Sequence, residues 1–235
     1  MEIKLRDLEI LLSMLVLQAK EDKDIAKVAL EDDCYWNIDC KDKFNLNIKN
    51  PSFNIGSLAD DLQNINLVLA NEKEPNFIDF ERLANLLLYI AYAYSKMVRE
   101  SLYKLDANLS DTEYLKRLSS QPVLKSKKCD AGLSGIEVDI NDLVTLLNKL
   151  VLKVKDQGIT KIALEDDEYW DINDDDKFSM YREAEAAVVG TLVNDLEAIQ
   201  PVLSKKCRPS ITDYSRLANL LVYVCYTLLK KSKEH

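Results

Sequence analysis

The chain contains one unit twice. Residues 25–44 read IAKVALEDDCYWNIDCKDKF and residues 159–178 read ITKIALEDDEYWDINDDDKF, identical at thirteen of twenty positions at an offset of 134. The same offset lays GSLADDL (56–62) on GTLVNDL (190–196) and RLANLLLY (82–89) on RLANLLVY (216–223). With one inserted residue, RDLEILLSMLV (6–16) falls on NDLVTLLNKLV (141–151). Collinear blocks of this kind record a duplication, and they restrict the fold to two copies of one supersecondary unit. The copies occupy 1–105 and 136–235. Between them, 106–135 reads as a linker, with a short helix capped by Ser110 in LSDTEYLKRLSS and a polar, Gly-containing stretch after it.

Each unit reads as helical. Leu5, Leu8, Leu12 and Leu15, echoed by Ile140, Leu143, Leu147 and Leu150, line one face of a helix of about 18 residues. Ser57 and Thr191 follow a glycine and suit the N-cap of a second helix, which Pro201 should end or kink near Ile199 in the second unit. Asn76-x-x-Asp79 and Ser210-x-x-Asp213 resemble capping boxes with Asp in place of Glu. The helix they open carries Leu83, Leu86, Leu87 and Ile90, or Leu217, Leu220, Leu221 and Val224, and in the first unit should reach about Leu105. Between the first two helices, Val28, Leu30, Trp36 and Ile38 alternate about the EDD run, which suits either a short β-hairpin or one more helical turn. Only five Gly and five Pro occur, few for a many-stranded sandwich. The expected fold is mainly α: two tandem helical-bundle repeats, each with a possible hairpin, packed with pseudo-twofold symmetry. LANLLLYIAYAY and LANLLVYVCYTLL are apolar on most faces and therefore belong at the contact between repeats.

Charge narrows the function classes. The net charge is −9. Residues 1–103 carry 12 basic and 18 acidic side chains and 136–235 carry 13 and 18, while 104–135 carry 6 and 4. Two acidic modules repel phosphates and complement a basic protein surface, so nucleic acid is not the expected partner. No apolar run approaches the ~20 residues of a membrane span, and MEIKLRDLEILLSMLVLQ has neither a basic n-region nor a small-residue cleavage site. Cys34, Cys40, Cys129, Cys207 and Cys225 show no CxxC spacing and read as free thiols, which places the protein in the cytoplasm.

Catalytic constellations are scarce. The single histidine, His235, is the last residue, where a frayed end cannot hold a triad or a metal. There is no Walker loop, dinucleotide fingerprint or GxSxG. Residues 165–176 hold eight carboxylates, and Asp171-x-Asn173-x-Asp175 starts like a calcium loop. Asp176 then stands where glycine is required and Arg182 where a bidentate Glu belongs, so a solvated acidic turn is the simpler reading and no metal or other cofactor is expected. The remaining candidates are Glu31, Asp32, Asp33, Tyr35 and Trp36, with Glu165, Asp166, Asp167, Tyr169 and Trp170. They form either an aromatic hot spot bordered by carboxylates or segments packed onto the helices. Asp79, Arg82, Asn85 and Tyr89, matched by Asp213, Arg216, Asn219 and Tyr223, lie along one side of the last helix. They form either a ligand row or a structural clamp onto Asp61, Asp195 or the EDD turn.

The pattern YWxI, an acidic stretch and then GSLxxDL or GTLxxDL resembles small helical bacterial proteins of uncharacterised function, over Tyr35–Leu62 and Tyr169–Leu196. The resemblance implies a helical fold and no activity. The expected function is a non-enzymatic acidic protein-binding module, in its sharpest form an immunity- or antitoxin-like inhibitor of a basic partner, monomeric with an internal pseudo-dimer. The alternatives are a divalent-cation-dependent carboxylate hydrolase at Glu31–Asp33 or Glu165–Asp167, and a DNA-mimic inhibitor.

Overall fold

Nineteen residues with the Leu5–Leu8–Leu12–Leu15 stripe form a helix, but the three before it already form a strand. In the computed structural model, which describes residues 1–23, 26–31, 33–48, 51–106, 136–165, 167–172, 174–178 and 187–233, the first unit runs β1 (Glu2–Lys4), α1 (Leu5–Lys23), β2 (Lys27–Ala29), β3 (Cys34–Ile38), α2 (Cys40–Lys43), β4 (Phe53–Ser57), α3 (Leu58–Leu69) and α4 (Ile78–Asp106). The second repeats the order as β5 (Glu137–Asp139), α5 (Ile140–Asp156), β6 (Lys161–Ala163), β7 (Glu168–Ile172), α6 (Asp174–Lys177), β8 (Ala187–Thr191), α7 (Leu192–Leu203) and α8 (Thr212–Lys233). The expected linker helix at Ser110 and the terminal His235 lie outside the described residues.

The mainly α expectation is corrected here. The fold is mixed α/β, with four two-stranded antiparallel sheets among the described residues. Strands of three to five residues escape a reading by periodicity, because a single apolar residue between charges, as in Glu2-Ile3-Lys4, carries no detectable alternation. The hairpin across the EDD run does not form either. β3 pairs with β4 of its own unit and β7 with β8, whereas β2 pairs with β5 and β1 with β6, across the units. The EDD turn is anchored elsewhere, as described below, so β2 and β3 leave it for different partners.

These two cross-unit ladders are reciprocal. Ile3 sits opposite Ile162 and Val28 opposite Val138, all four buried, while Glu2–Lys161 and Lys27–Glu137 pair on the solvent side at 2.9 and 3.2 Å. The exposed ion pairs contribute little; burial of the aliphatic pairs is the larger effect. Residues of both units share one apolar core. Its centre is α4 against α8, the most extensive contact between elements, with the Tyr94 and Tyr214 rings packed at a tilt, 6.0 Å between centroids. The all-round apolar helices thus lie between the repeats.

Local signals mostly act as their chemistry demands. Ser57 Oγ accepts from the Asp60 N–H at 3.1 Å, whereas Thr191 makes no side-chain cap bond. The Asp79 and Asp213 carboxylates reach back to the N–H groups of Asn76 and Ser210 at 2.8 and 2.7 Å, the return arm of a capping box. Pro201 does not end α7 at Ile199; the helix continues to Leu203. A proline in the last turn forfeits only one helical bond, and its carbonyl accepts from the Lys206 N–H at 2.8 Å. Cys207 and Cys225 are free, but Cys34 is disulfide-bonded. The absence of CxxC spacing excludes only the shortest pairings, and the expectation of free thiols throughout fails at Cys34.

Candidate functional site

The EDD runs are divided by role. The Glu31 N–H donates to Tyr89 Oη at 2.8 Å, and that hydroxyl donates to the Ala29 carbonyl at 3.1 Å; Glu165, Tyr223 and Ala163 repeat this at 2.9 and 3.2 Å. One buried tyrosine of each long helix therefore fixes the turn. Asp33 Oδ1 accepts from Ser57 Oγ and the Ala59 N–H at 2.9 and 2.8 Å, and Asp167 Oδ1 from the Val193 N–H at 2.7 Å. These two carboxylates cap α3 and α7 from a distance in sequence, a role that short-range cap patterns do not show. The Glu31 and Glu165 side chains are exposed, near Lys96 at 2.8 Å and Lys230 at 3.7 Å. Asp32 and Asp166 lie outside the described residues.

Tyr35 and Tyr169 point inward. Along β3, Tyr35 faces the core and Trp36 the other side, and Tyr35 lies opposite Gly56 as Tyr169 lies opposite Gly190. A Cβ at Gly56 would stand 2.2 Å from the Tyr35 ring, and one at Gly190 2.4 Å from that of Tyr169. Glycine is needed there for close approach, so that the phenol can pass over the strand toward α3 and α4. Tyr35 Oη donates to Asp61 Oδ2 at 2.7 Å and accepts from Asn85 Nδ2 at 2.6 Å, and the same Asn85 nitrogen lies 3.2 Å from Asp61. Arg82 joins Asp79 at 2.6 Å and Asp61 at 3.7 Å. In the second unit Tyr169, Asp195 and Asn219 repeat the triangle at 2.8, 2.7 and 3.4 Å, with Arg216 on Asp213 at 2.6 Å.

Burial pushes the Asp61 and Asp195 carboxyls up to about 6, against the tyrosine and asparagine hydrogen bonds and the nearby arginine, which favour the ion. Burial, with the neighbouring carboxylate, also raises both tyrosine hydroxyls far above their ordinary range. A tyrosine held neutral and an aspartate whose oxygens are already taken are poor reagents and good struts. The Asp–Arg–Asn–Tyr row is thus a divided clamp: Arg82 and Asn85 reach Asp61, Asn219 reaches Asp195, and Tyr89 and Tyr223 hold the EDD turns.

Each clamp is closed by the opposite unit. Buried Lys43 reaches from α2 to Asp171 Oδ1 and Asn219 Oδ1, both at 3.5 Å, and sits 5.3 Å above the Tyr169 ring. Phe44 beside it packs on Tyr223 and Tyr226 at 5.2 and 5.0 Å. Reciprocally, Phe178 packs on Tyr89 and Tyr92 at 5.5 and 5.1 Å, next to buried Lys177. The shared Asp-Lys-Phe ending of the repeat block is therefore a plug, a role that no pattern in the sequence showed. Asp171, the first residue of the calcium-loop reading, is the partner of Lys43; Asn173 and Arg182 lie outside the described residues. Among the described residues no cluster of three or more His, Cys, Asp or Glu side chains is placed to hold a metal.

Trp36 and Trp170 lie on the outer faces of their ribbons, opposite Ile55 and Val189. With Phe53 and Ala187 they pack around Ile38 and Ile172 in a small second core. The two YW segments therefore meet on one face, half-covered, while Ile55 and Val189 remain 52% and 50% exposed. The Trp170 indole N–H is buried without an acceptor among the described residues. Comparison with family models, curated proteins and solved structures finds no match for this chain.

Proposed function

We propose that the protein is a non-enzymatic binding module that receives a basic partner on the joined ribbon face. The observation that carries this reading is the meeting of Trp36 and Trp170 over Ile38 and Ile172, beside exposed Ile55 and Val189. Half-covered tryptophans amid exposed aliphatics are what interface hot spots are made of. The exposed Glu31 and Glu165 follow from the other ends of β3 and β7, and the −9 charge steers a cationic partner toward the face. An immunity- or antitoxin-like inhibitor is the sharper form of this proposal. Its two sites act in one rigid face, because the clamps and plugs hold the units together. No helix among the described residues is long and apolar enough to cross a membrane. A cytoplasmic location accords with the free thiols of Cys207 and Cys225 and conflicts with the bonded Cys34; maleimide labelling in freshly lysed cells discriminates the two.

The test is affinity capture from native extract on wild type and on Trp36→Ala/Trp170→Ala, washed at low and high salt. A partner retained by wild type, released by salt and lost with the tryptophans is expected. Capture indifferent to both salt and the tryptophans refutes the reading.

A further inference from the structure

Duplication makes one half of the molecule a control for the other, and the two differ at one corner. Where α5 meets the loop after α3, Lys149 Nζ donates to the carbonyls of Val68 and Leu69 at 2.9 and 3.1 Å and to Asn71 Oδ1 at 2.7 Å. That loop reads Asn71-Glu72-Lys73-Glu74. At the equivalent corner, where α1 meets the loop after α7, Met14 replaces Lys149 and the loop reads Lys205-Lys206-Cys207-Arg208. There two clefts of about 420 and 470 Å³ open, sharing Met14, Leu17 and Lys205. Ile10 and Leu17 are 38% and 57% exposed beside half-buried Met14. Arg6, Lys205, Lys206 and Arg208 make no ion pair among the described residues. Of the acids along the clefts, Glu9 is bound to Lys155 at 3.1 Å, leaving Glu21.

We infer that this corner is a docking groove for an acidic amphipathic helix, a site independent of the ribbon face. Ile10, Met14 and Leu17 follow the i, i+4, i+7 spacing by which one helix offers its side to another. Four cations flank that strip in a chain of net charge −9, so the complement carries carboxylates on either side of its apolar face. A basic partner of the kind proposed for the ribbon face is repelled here, and an extended nucleic acid makes no use of the aliphatic strip.

The probe is a fluorescein-labelled 18-residue peptide, helical, with leucines on one face and glutamates on the others, titrated into the full chain by anisotropy. Salt-sensitive binding is expected. Leu17→Asp, and separately Lys205→Glu/Arg208→Glu, each weaken it about tenfold or more, the loss expected of a hot-spot residue. Leu152→Asp, at the equally exposed leucine of the other corner, leaves affinity unchanged; thermal melts confirm that each variant is folded. The inference is overturned if the peptide does not bind, if its lysine-for-glutamate analogue binds as well, if a single-stranded RNA displaces it, or if Leu152→Asp weakens it as much as Leu17→Asp.

Discussion

Replacing Gly56 by alanine tests the centre of the clamp. The added methyl would sit 2.2 Å from Tyr35 Cζ and 2.5 Å from its hydroxyl oxygen. The backbone there is ordinary strand, so the penalty is steric. Restoring van der Waals distance displaces the ring by about 1 Å, which stretches the 2.7 Å bond to Asp61 and the 2.6 Å bond from Asn85 beyond hydrogen-bond length. A bond to a charged acceptor contributes about 1.5–3 kcal/mol and a neutral one about 0.5–1.5. Loss of both gives about 3 kcal/mol, a large part of a typical stability of about 5–15 kcal/mol. For a chain of this size that lowers Tm by about 6–12 °C. Urea denaturation of Gly56→Ala, Tyr35→Ala and the double variant isolates the cause. Without the ring the three nearest atoms to the methyl are gone, so the double variant should be no more than ~0.5 kcal/mol below Tyr35→Ala, a coupling of about 2 kcal/mol or more. A Gly56→Ala cost below ~1 kcal/mol, or strict additivity, refutes the close-approach argument.

Other outcomes follow from the same clamps. Asp61 and Asp195 are raised in the folded state to about 6 from an ordinary value near 4, so the native state holds their protons more tightly than the unfolded chain. Their contribution therefore lowers stability as pH rises from about 4 to about 6; Tm-against-pH curves for wild type and Asp61→Asn/Asp195→Asn should diverge over that window, and parallel curves would count against it. Lys43→Met strands Asp171 and Asn219 in the opposite unit and should cost about 1–3 kcal/mol in urea denaturation; unchanged stability would mean that desolvation of the lysine offsets its contacts. Asp33→Ala removes two bonds that cap α3 and should cost about 1–2 kcal/mol. Glu31→Ala, which removes only an exposed pair with Lys96, should stay within ~0.5 kcal/mol in the same assay.

The long helices were legible because each repeats its apolar residues over several turns; Leu83 to Ile90 needs no partner to announce itself. Their position between the units was legible for a related reason, since a helix apolar all round must be covered all round. The exchanged strands were hidden, because Ile3 and Val28 are single buried residues whose partners, Ile162 and Val138, lie more than a hundred positions away. The clamp was legible in half: Asp79, Arg82, Asn85 and Tyr89 share one side of α4, but only the fold shows Tyr35 crossing Gly56 to complete it. Lys43 and Lys177 are charged residues that composition assigns to the surface, and their burial, for Lys43 above a tyrosine of the other unit, leaves no trace in their own neighbourhood. Asp-Lys-Phe is kept in both copies just after three positions that diverge, 39–41 against 173–175, but identity alone does not say that it acts as a plug.

The crossed ladders also set a timetable for biosynthesis. β2 is complete at Ala29, yet its ladder mate ends at Asp139, about 110 residues later. At ribosomal speeds of about 5–20 residues per second the wait is on the order of 10 s. Until then Val28 and Ile3 have no opposite number, and the aromatic seat on α4 awaits Phe178. The emerging N-terminal half is thus a half-built arch, standing only when the keystone arrives from the other side, and it is in that interval that the chain is most exposed to wrong partners, including its neighbours on the same message.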